Sequence, residues 1–396
     1  MTNRNIKNNI KLLAIFNFFT DLKFHSALLI IYFANVTGSY TLGMSIFSAV
    51  MISSALFEVP TGVFSDYIGR KKTIMLGAIS SVIASLFYAL GFSYWWLFVG
   101  ALFEGLSRSW YSGNNDAFLH DTLTELGKKE SYDHYLGKVN SMFQAALMMG
   151  AVLGSIIANR SFSLVMWVSV VPQILCFILA TRMIEPKIVK KESANIFSHL
   201  HFSALYLWKN IRLRLLSINS ILGFGISESG FQFRGAFINF LWPLWAVGFG
   251  KMCSYLFASI SYWFSGKVIR KFGAPQLLLF ITIYGRIINM VSTGIPTVVS
   301  PILMSSTSLF HGVNDVVSSK LRQQEFTEKQ RATMESINSL LGSIFYGVYA
   351  IFLGFIGDKM GPAKALFISQ IFLLPLVWTN WKLTKLENKK NYKQNI

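Results

Sequence analysis

Apolar residues run along this chain in blocks too long for a soluble core. Ser26 to Phe57 is 32 residues without a formal charge, and Thr73 to Phe103 is 31. One bilayer crossing takes roughly 20 apolar residues. Each of these runs therefore holds most of two crossings joined by a short turn. Val139–Asn159, Ser161–Thr181 and Ser336–Gly357 are also free of formal charge, each the length of one crossing. The pattern predicts twelve helices, near 11–34, 41–64, 73–93, 95–121, 137–158, 162–183, 213–240, 251–269, 275–292, 294–319, 335–357 and 363–384. Gly223, Gly225, Gly230 and Gly235 predict a bend or unwinding in the seventh, which Pro243 follows.

The polar interruptions carry the orientation. Gly62 to Lys72 places a turn, one acid and three cations within eleven residues, clamped between two apolar runs. That is the composition of a short cytoplasmic loop between membrane helices. With twelve crossings and both ends inside, 28 of the 36 Lys and Arg residues fall on the cytoplasmic side. This is the positive-inside bias, and it accounts for a formal charge of +18 without nucleic acid. Composition agrees: 53% of residues are hydrophobic and 14% charged, against about 25% charged in a soluble protein. Cys176 and Cys253 both sit in apolar segments and imply no disulfide framework. The basic N-terminus precedes an apolar stretch that Asp21, Lys23 and His25 interrupt, which reads as an uncleaved first helix.

The longest polar interruption divides six helices from six. The expected organisation is an N-terminal bundle over 1–184, a cytoplasmic linker over 185–212 and a C-terminal bundle over 213–396. A short amphipathic helix is expected in the linker, around Phe197 to Trp208. The halves also repeat. Gly62-x-x-x-Asp66-x-x-Gly69 returns as Gly266-x-x-x-Arg270-x-x-Gly273. Gly113-Asn114-Asn115-Asp116 returns as Gly312-Val313-Asn314-Asp315, and Gly154 maps to Gly354. Two six-helix halves related by an axis along the membrane normal form a transporter architecture, with substrate bound between them near the midplane.

On these residues the chain resembles the major facilitator superfamily. The family's signature after helix 2 reads Gly-x-x-x-Asp-(Arg/Lys)-x-Gly-(Arg/Lys)-(Arg/Lys). The chain matches it at Gly62, Asp66, Gly69, Arg70 and Lys71, and departs at Tyr67, where a cation is usual. The resemblance implies that Asp66 approaches the start of helix 11 and that Arg70 pairs with an acid near the cytoplasmic end of helix 4. Asp116 and Asp121 are the candidates, and Asp315 is the repeat partner of Asp116. Such contacts would hold the halves together on the cytoplasmic side in an outward-open state. An acid suits a helix N-terminus and an arginine fork suits a carboxylate. Two further family patterns fit less closely. Arg108 lies five residues before Gly113, one more than the helix 4 motif has. Gly150-Ala151-Val152-Leu153-Gly154 keeps the small residues of the antiporter motif in helix 5 without its proline.

Charges within the crossings are the candidate chemistry, because such groups are costly unless they face a partner or a cavity. Helix 1 places Asn17, Asp21, His25 and Tyr32 on one face, with Lys23 off it and suited to a structural pair. Helix 4 places Glu104, Arg108, Ser112 and Asn115 together. Helix 7 carries Glu228, Gln232, Gly235 and Asn239 in a stripe, with Arg234 off it. Helix 10 carries His311, Asp315 and Ser318, while Glu58 and Arg286 lie on helices 2 and 9. The family resemblance makes helices 1, 4, 7 and 10 the lining of the central cavity. Burial favours the protonated form of a carboxyl, so a buried acid can load and release a proton near neutral pH. Asp21, Glu228 and Glu104 are the proton-coupling candidates in that order; Glu104 comes third because Arg108, one turn on, can pair with it. Asn17, His25, Arg108, Ser112, Asn115, Gln232, Arg234, Asn239 and His311 are the substrate-cavity candidates.

No phosphate loop, nucleophile elbow or nucleotide fingerprint occurs in the sequence, and no metal-ligand spacing. The expectation is an all-α integral membrane protein of a bacterial cytoplasmic membrane, not an enzyme, monomeric in the lipid bilayer. It would need no cofactor beyond a proton or other ion gradient. Its expected work is secondary transport by alternating access. Export of a small amphiphilic drug, siderophore or peptide antibiotic stands first. Uptake of a sugar or peptide by proton symport, and ligand sensing without transport, stand as alternatives.

Overall fold

The computed structural model describes residues 3–187, 210–325 and 331–394. The helix expected around Phe197 to Trp208 lies outside them. Among the described residues the chain is helical, with no strand. The N-terminal part contains α1 (Asn3–Asp21), α2 (Leu29–Thr37), α3 (Tyr40–Ile68), α4 (Arg70–Leu90), α5 (Tyr94–Tyr111), α6 (Asn114–Glu125), α7 (Tyr132–Ala158) and α8 (Phe162–Arg182). The C-terminal part contains α9 (Ile211–Leu241), α10 (Val247–Phe272), α11 (Ala274–Gly294), α12 (Ser300–Ser305), α13 (His311–Glu325), α14 (Arg331–Met360), α15 (Pro362–Phe372) and α16 (Leu374–Gln394). Seven stretches of described residues are apolar and long enough to cross a membrane by themselves, among them Tyr40–Ile68, Phe162–Arg182 and Met334–Met360. The remaining expected crossings are broken into shorter helices or carry more charge.

Helix ends follow local chemistry. Ser39 and Ser161 accept the amides of Leu42 and Leu164 at the starts of α3 and α8, both at 3.3 Å. Asn210 does the same for α9, accepting from Arg212 at 3.0 Å and Leu213 at 3.1 Å. Gly69 (φ +95°) and Gly273 (φ +78°) stand immediately before α4 and α11 with similar backbone angles. L-residues with side chains rarely adopt such φ values. The repeated glycine is thus used for the same turn in both halves.

Four expected helices are interrupted. The first splits into α1 and α2 around 22–28. The fourth splits into α5 and α6 at Ser112 and Gly113, where φ of Gly113 is +67°. The tenth begins only at Ser300 and passes through a 3-10 turn, Ser306–Phe310, before α13. The twelfth breaks at Leu373. The seventh does the reverse. Despite its glycines, α9 is one helix of 31 residues. Gly225 serves close packing instead, since a Cβ there would crowd the Phe345 ring and the Tyr346 amide of α14.

The chain divides into two compact units. The first is Met1–Glu192 together with Trp242–Met252, a segment that linker-based boundaries leave in the second half. Within this unit the 3-10 turn Leu244–Ala246 packs on α7, and a Cβ on Gly248 would overlap the Ala151 carbonyl oxygen. Here α4 packs between α5 and α8, and α1 lies on α7 and α8. Leu13, Phe16, Ile74, Ala78, Phe118 and Cys176 form its core. In the second unit α9 packs on α14 and α11 on α16. Its core includes Leu215, Leu277, Leu278, Val313, Val317 and Leu321.

Candidate functional site

The break between α1 and α2 is built by its neighbours. Short-range bonds replace the helical ladder there: Lys23 N–H donates to the Asp21 carbonyl at 2.8 Å, and Ser26 N–H to that of Lys23 at 3.0 Å. Gln173 of α8 supplies the missing donors at the end of α1, its Nε2 lying 3.3 Å from the Phe19 oxygen and 3.5 Å from that of Thr20. Ser81 Oγ donates to Gln173 Oε1 at 2.6 Å and so fixes the amide. The Gly150 and Gly154 pair of α7 leaves room for the irregular backbone. A Cβ on Gly154 would overlap the Phe24 carbonyl oxygen, and one on Gly150 would press on that of Lys23.

This geometry brings Lys23 inward. Its Nζ lies 3.0 Å from Glu104 Oε1, which Arg108 Nη2 also reaches at 3.2 Å. Tyr88 donates its hydroxyl to Glu104 Oε2 at 2.9 Å. Both carboxylate oxygens are engaged, and the Glu104 side chain is only 7% exposed. A charge so buried needs partners of this kind. Asp21 is different. It ends α1, and among the described residues its carboxylate has no hydrogen bond or ion pair, although Lys23 and Arg108 act on it electrostatically.

The helical face expected from Asn17 to Tyr32 does not persist across the break. Asn115 Nδ2 lies 3.4 Å from Asn17 Oδ1. His25 is enclosed, 1% exposed, with neither ring nitrogen partnered and its amide on Ser169 Oγ at 3.2 Å. Tyr32 donates to the Tyr88 carbonyl at 2.8 Å. Both are packed inside the first unit rather than open to a cavity, because the turn after Asp21 redirects the chain. Ser112 stands at the break after α5, 3.5 Å from Glu58 Oε1. In the second unit, Gln232 Nε2 donates to Glu228 Oε1 at 2.7 Å, and Asn239 is exposed. His311 is exposed and meets the Tyr262 ring edge-on, while the Tyr262 hydroxyl reaches Asp315 Oδ2 at 3.1 Å. Arg234 is buried, at 9% exposure.

The signature loop is a closed network. Arg70 lies 3.2 Å from Asp66 and 3.7 Å from Asp121, while Asp116 is exposed. Its Nη1 donates to Ser65 Oγ at 2.8 Å; Ser65 donates to Asn114 Oδ1 at 2.7 Å; Asn114 Nδ2 returns to the Arg70 carbonyl at 3.1 Å. Glu185 caps α4, accepting from the amides of Arg70 at 2.6 Å and Lys71 at 2.9 Å. Gly62 is open, with nothing within 4 Å of the place a Cβ would take. Sequence reasoning missed Ser65, Asn114, Glu185, Tyr88 and Gln173. Gln173 left a signal, since an amide inside the charge-free run Ser161–Thr181 needs a partner.

Similarity to known proteins agrees with this architecture. An uncharacterized transporter of Buchnera aphidicola subsp. Acyrthosiphon pisum is 31% identical over 129 residues, 32% of each chain. One from Buchnera aphidicola subsp. Schizaphis graminum is 25% identical over 208 residues, 51% of each. The chain thus spans about a third to a half of the length of these relatives. Shorter matches include the class E tetracycline resistance protein of Escherichia coli, 23% identical over 128 residues, which are 32% of this chain and 30% of that one. The D-xylose transporter of Levilactobacillus brevis is 31% identical over 126 residues, 32% of this chain and 25% of that one. The crystal structure of the nucleoside transporter NupG superposes with a TM-score of 0.79 at 13% identity, covering 96% of this chain and 99% of that one. The family model described as Major Facilitator Superfamily matches residues 12–334. With the paired helical units, the signature loop and that match, the chain belongs to the Major Facilitator Superfamily of membrane transporters.

Proposed function

We propose that this transporter exports a small amphiphilic compound, such as a drug, a siderophore or a peptide antibiotic, in exchange for protons across a bacterial cytoplasmic membrane. The observation that carries the coupling is the contrast between two acids. Glu104 is held by two cations and a tyrosine hydroxyl, which suits a fixed structural charge. Asp21 stands at a helix break without such partners among the described residues, able to gain and lose a proton as the surroundings change. Glu228, held by the neutral amide of Gln232, is the second candidate.

The direct test uses the purified protein in proteoliposomes. Asp21→Asn should abolish transport driven by a pH gradient while sparing exchange of substrate for substrate, because exchange needs no net proton movement. Unimpaired pH-driven transport would remove Asp21 from the mechanism. The similarity to the tetracycline resistance protein favours export, and that to the D-xylose transporter favours uptake. Deleting the gene decides between them: export predicts higher cellular accumulation of the compound, and lower accumulation would establish uptake. A sensor would bind ligand in proteoliposomes without flux.

A further inference from the structure

Among the described residues, Arg234 is a buried cation without a counter-charge. It lies in α9 between Phe233 and Gly235, both buried. A guanidinium offers five N–H donors. Nη1 reaches Ser254 Oγ of α10 at 3.4 Å, and Nε has no partner. Ser254 donates to Ser305 Oγ at 3.0 Å, and Ser305 donates to the Pro301 carbonyl at 2.8 Å. This chain of hydroxyls runs to a neutral backbone oxygen. Among the described residues no acidic side chain acts on Arg234. Glu228, six positions earlier on α9, points to a different side of the helix and is bound by Gln232. Arg286 of α11 repeats the situation, with Nε and Nη1 buried and unpartnered. An uncompensated cation in a low-dielectric interior is expensive. In the first unit the same problem is solved from within, by Glu104 between Lys23 and Arg108. In the second unit no described residue supplies such an anion to Arg234.

The surroundings of Arg234 limit what could supply it. The guanidinium lies over the Phe231 ring, 5.6 Å from its centroid. Phe231 meets Tyr255 edge-on at 6.0 Å, and both rings are half-buried. One face of the guanidinium is thus aromatic, and its edge keeps donors suited to a carboxylate fork. A single guanidinium balances a single negative charge, which favours a carboxylate over a doubly charged phosphate. We propose that Arg234 anchors the carboxylate of a substrate whose apolar or aromatic body packs against Phe231 and Tyr255. This rests on the transport reading above and narrows its amphiphilic cargo to an organic monoanion.

The test compares matched probes on the full chain purified in detergent: benzoate with benzamide, 4-phenylbutyrate with its amide, and benzylamine as the cation. The carboxylates should raise the thermal midpoint, and the amides and benzylamine should not at equal concentration. Arg234→Gln should abolish the carboxylate shift. Arg234→Lys, which keeps the charge and loses the fork, should weaken carboxylate affinity several-fold, and it serves where the glutamine variant does not fold. Absence of a carboxylate shift in the wild type, an equal shift from the amides, or an unchanged shift in either variant would overturn the proposal. Counterflow of radiolabelled benzoate in proteoliposomes separates this inference from the transport reading. Binding that needs Arg234 with no counterflow would leave the anion site and remove transport. Counterflow of neutral or cationic solutes, indifferent to Arg234, would leave transport and remove the anion site.

Discussion

Glu104 shows what a single side chain does in this fold. It gathers Lys23, Arg108 and Tyr88 about one carboxylate. Removing the acid leaves Lys23, a mostly buried cation, without its ion-pair partner. Glu104→Gln should therefore lower stability by about 2 to 3 kcal/mol, below the full penalty of a wholly buried pair because Arg108 is half exposed. The double change Lys23→Met with Glu104→Gln should recover much of that loss. Thermal unfolding in detergent reads both, and an additive double variant would contradict the account. The Glu104–Arg108 half of the cluster was legible in the sequence, since four residues is one helical turn. The Lys23 half was not. Its partner is 81 positions away, and no local pattern chooses among the acids that packing could deliver.

At the scale of elements, the breaks matter more than the helices. Hydropathy predicts where crossings fall because each must be apolar along its length. It marks Lys23, His25 and Ser26 as polar positions in 22–28 without showing that the helix breaks there. That interruption exists because α7 offers Gly150 and Gly154 beside it and α8 offers Gln173 to its open carbonyls. Gly154→Ala should therefore disturb the fold even though alanine favours helix, because its methyl group would occupy the Phe24 oxygen position. Gly62→Ala, where nothing lies within 4 Å, should be tolerated. The monodisperse fraction after size-exclusion chromatography would report the difference, and equal yields would show that the break can shift. The small residues of α7 were visible in the sequence as a resemblance to an antiporter motif. Their physical partner, the backbone of the first helix, was visible only once the helices were packed.

Across the whole molecule, duplication sets the frame and substitution sets the function. Gly69 and Gly273 make the same turn before corresponding helices. Similar positions in the two units also tie helix ends by different chemistry. In the first unit Asn9 binds the backbone of Ile184, with bonds of 2.8 and 3.0 Å. In the second, Asn210 and Arg212 bind Glu325 at 3.1 and 3.0 Å, and Arg212 also binds Glu387 at 2.6 Å. The signature loop keeps its acid in one copy only, Asp66, where the other has Arg270. Asp66→Ala is expected to weaken the outward-open state more than Arg270→Ala does, and spin-label distances across the cytoplasmic face would show it; equal effects would assign the latch elsewhere. The sequence by itself determined the membrane class and the apolar stretches from which the crossings are built. Those follow from a constraint that acts locally, the need of every crossing to be apolar and to satisfy its own backbone. Only the tertiary structure decided which buried charges are neutralised and which remain open, Glu104 among the first and Arg234 among the second. Electrostatic pairing depends on which helices meet and how closely, and that is a property of packing between distant residues.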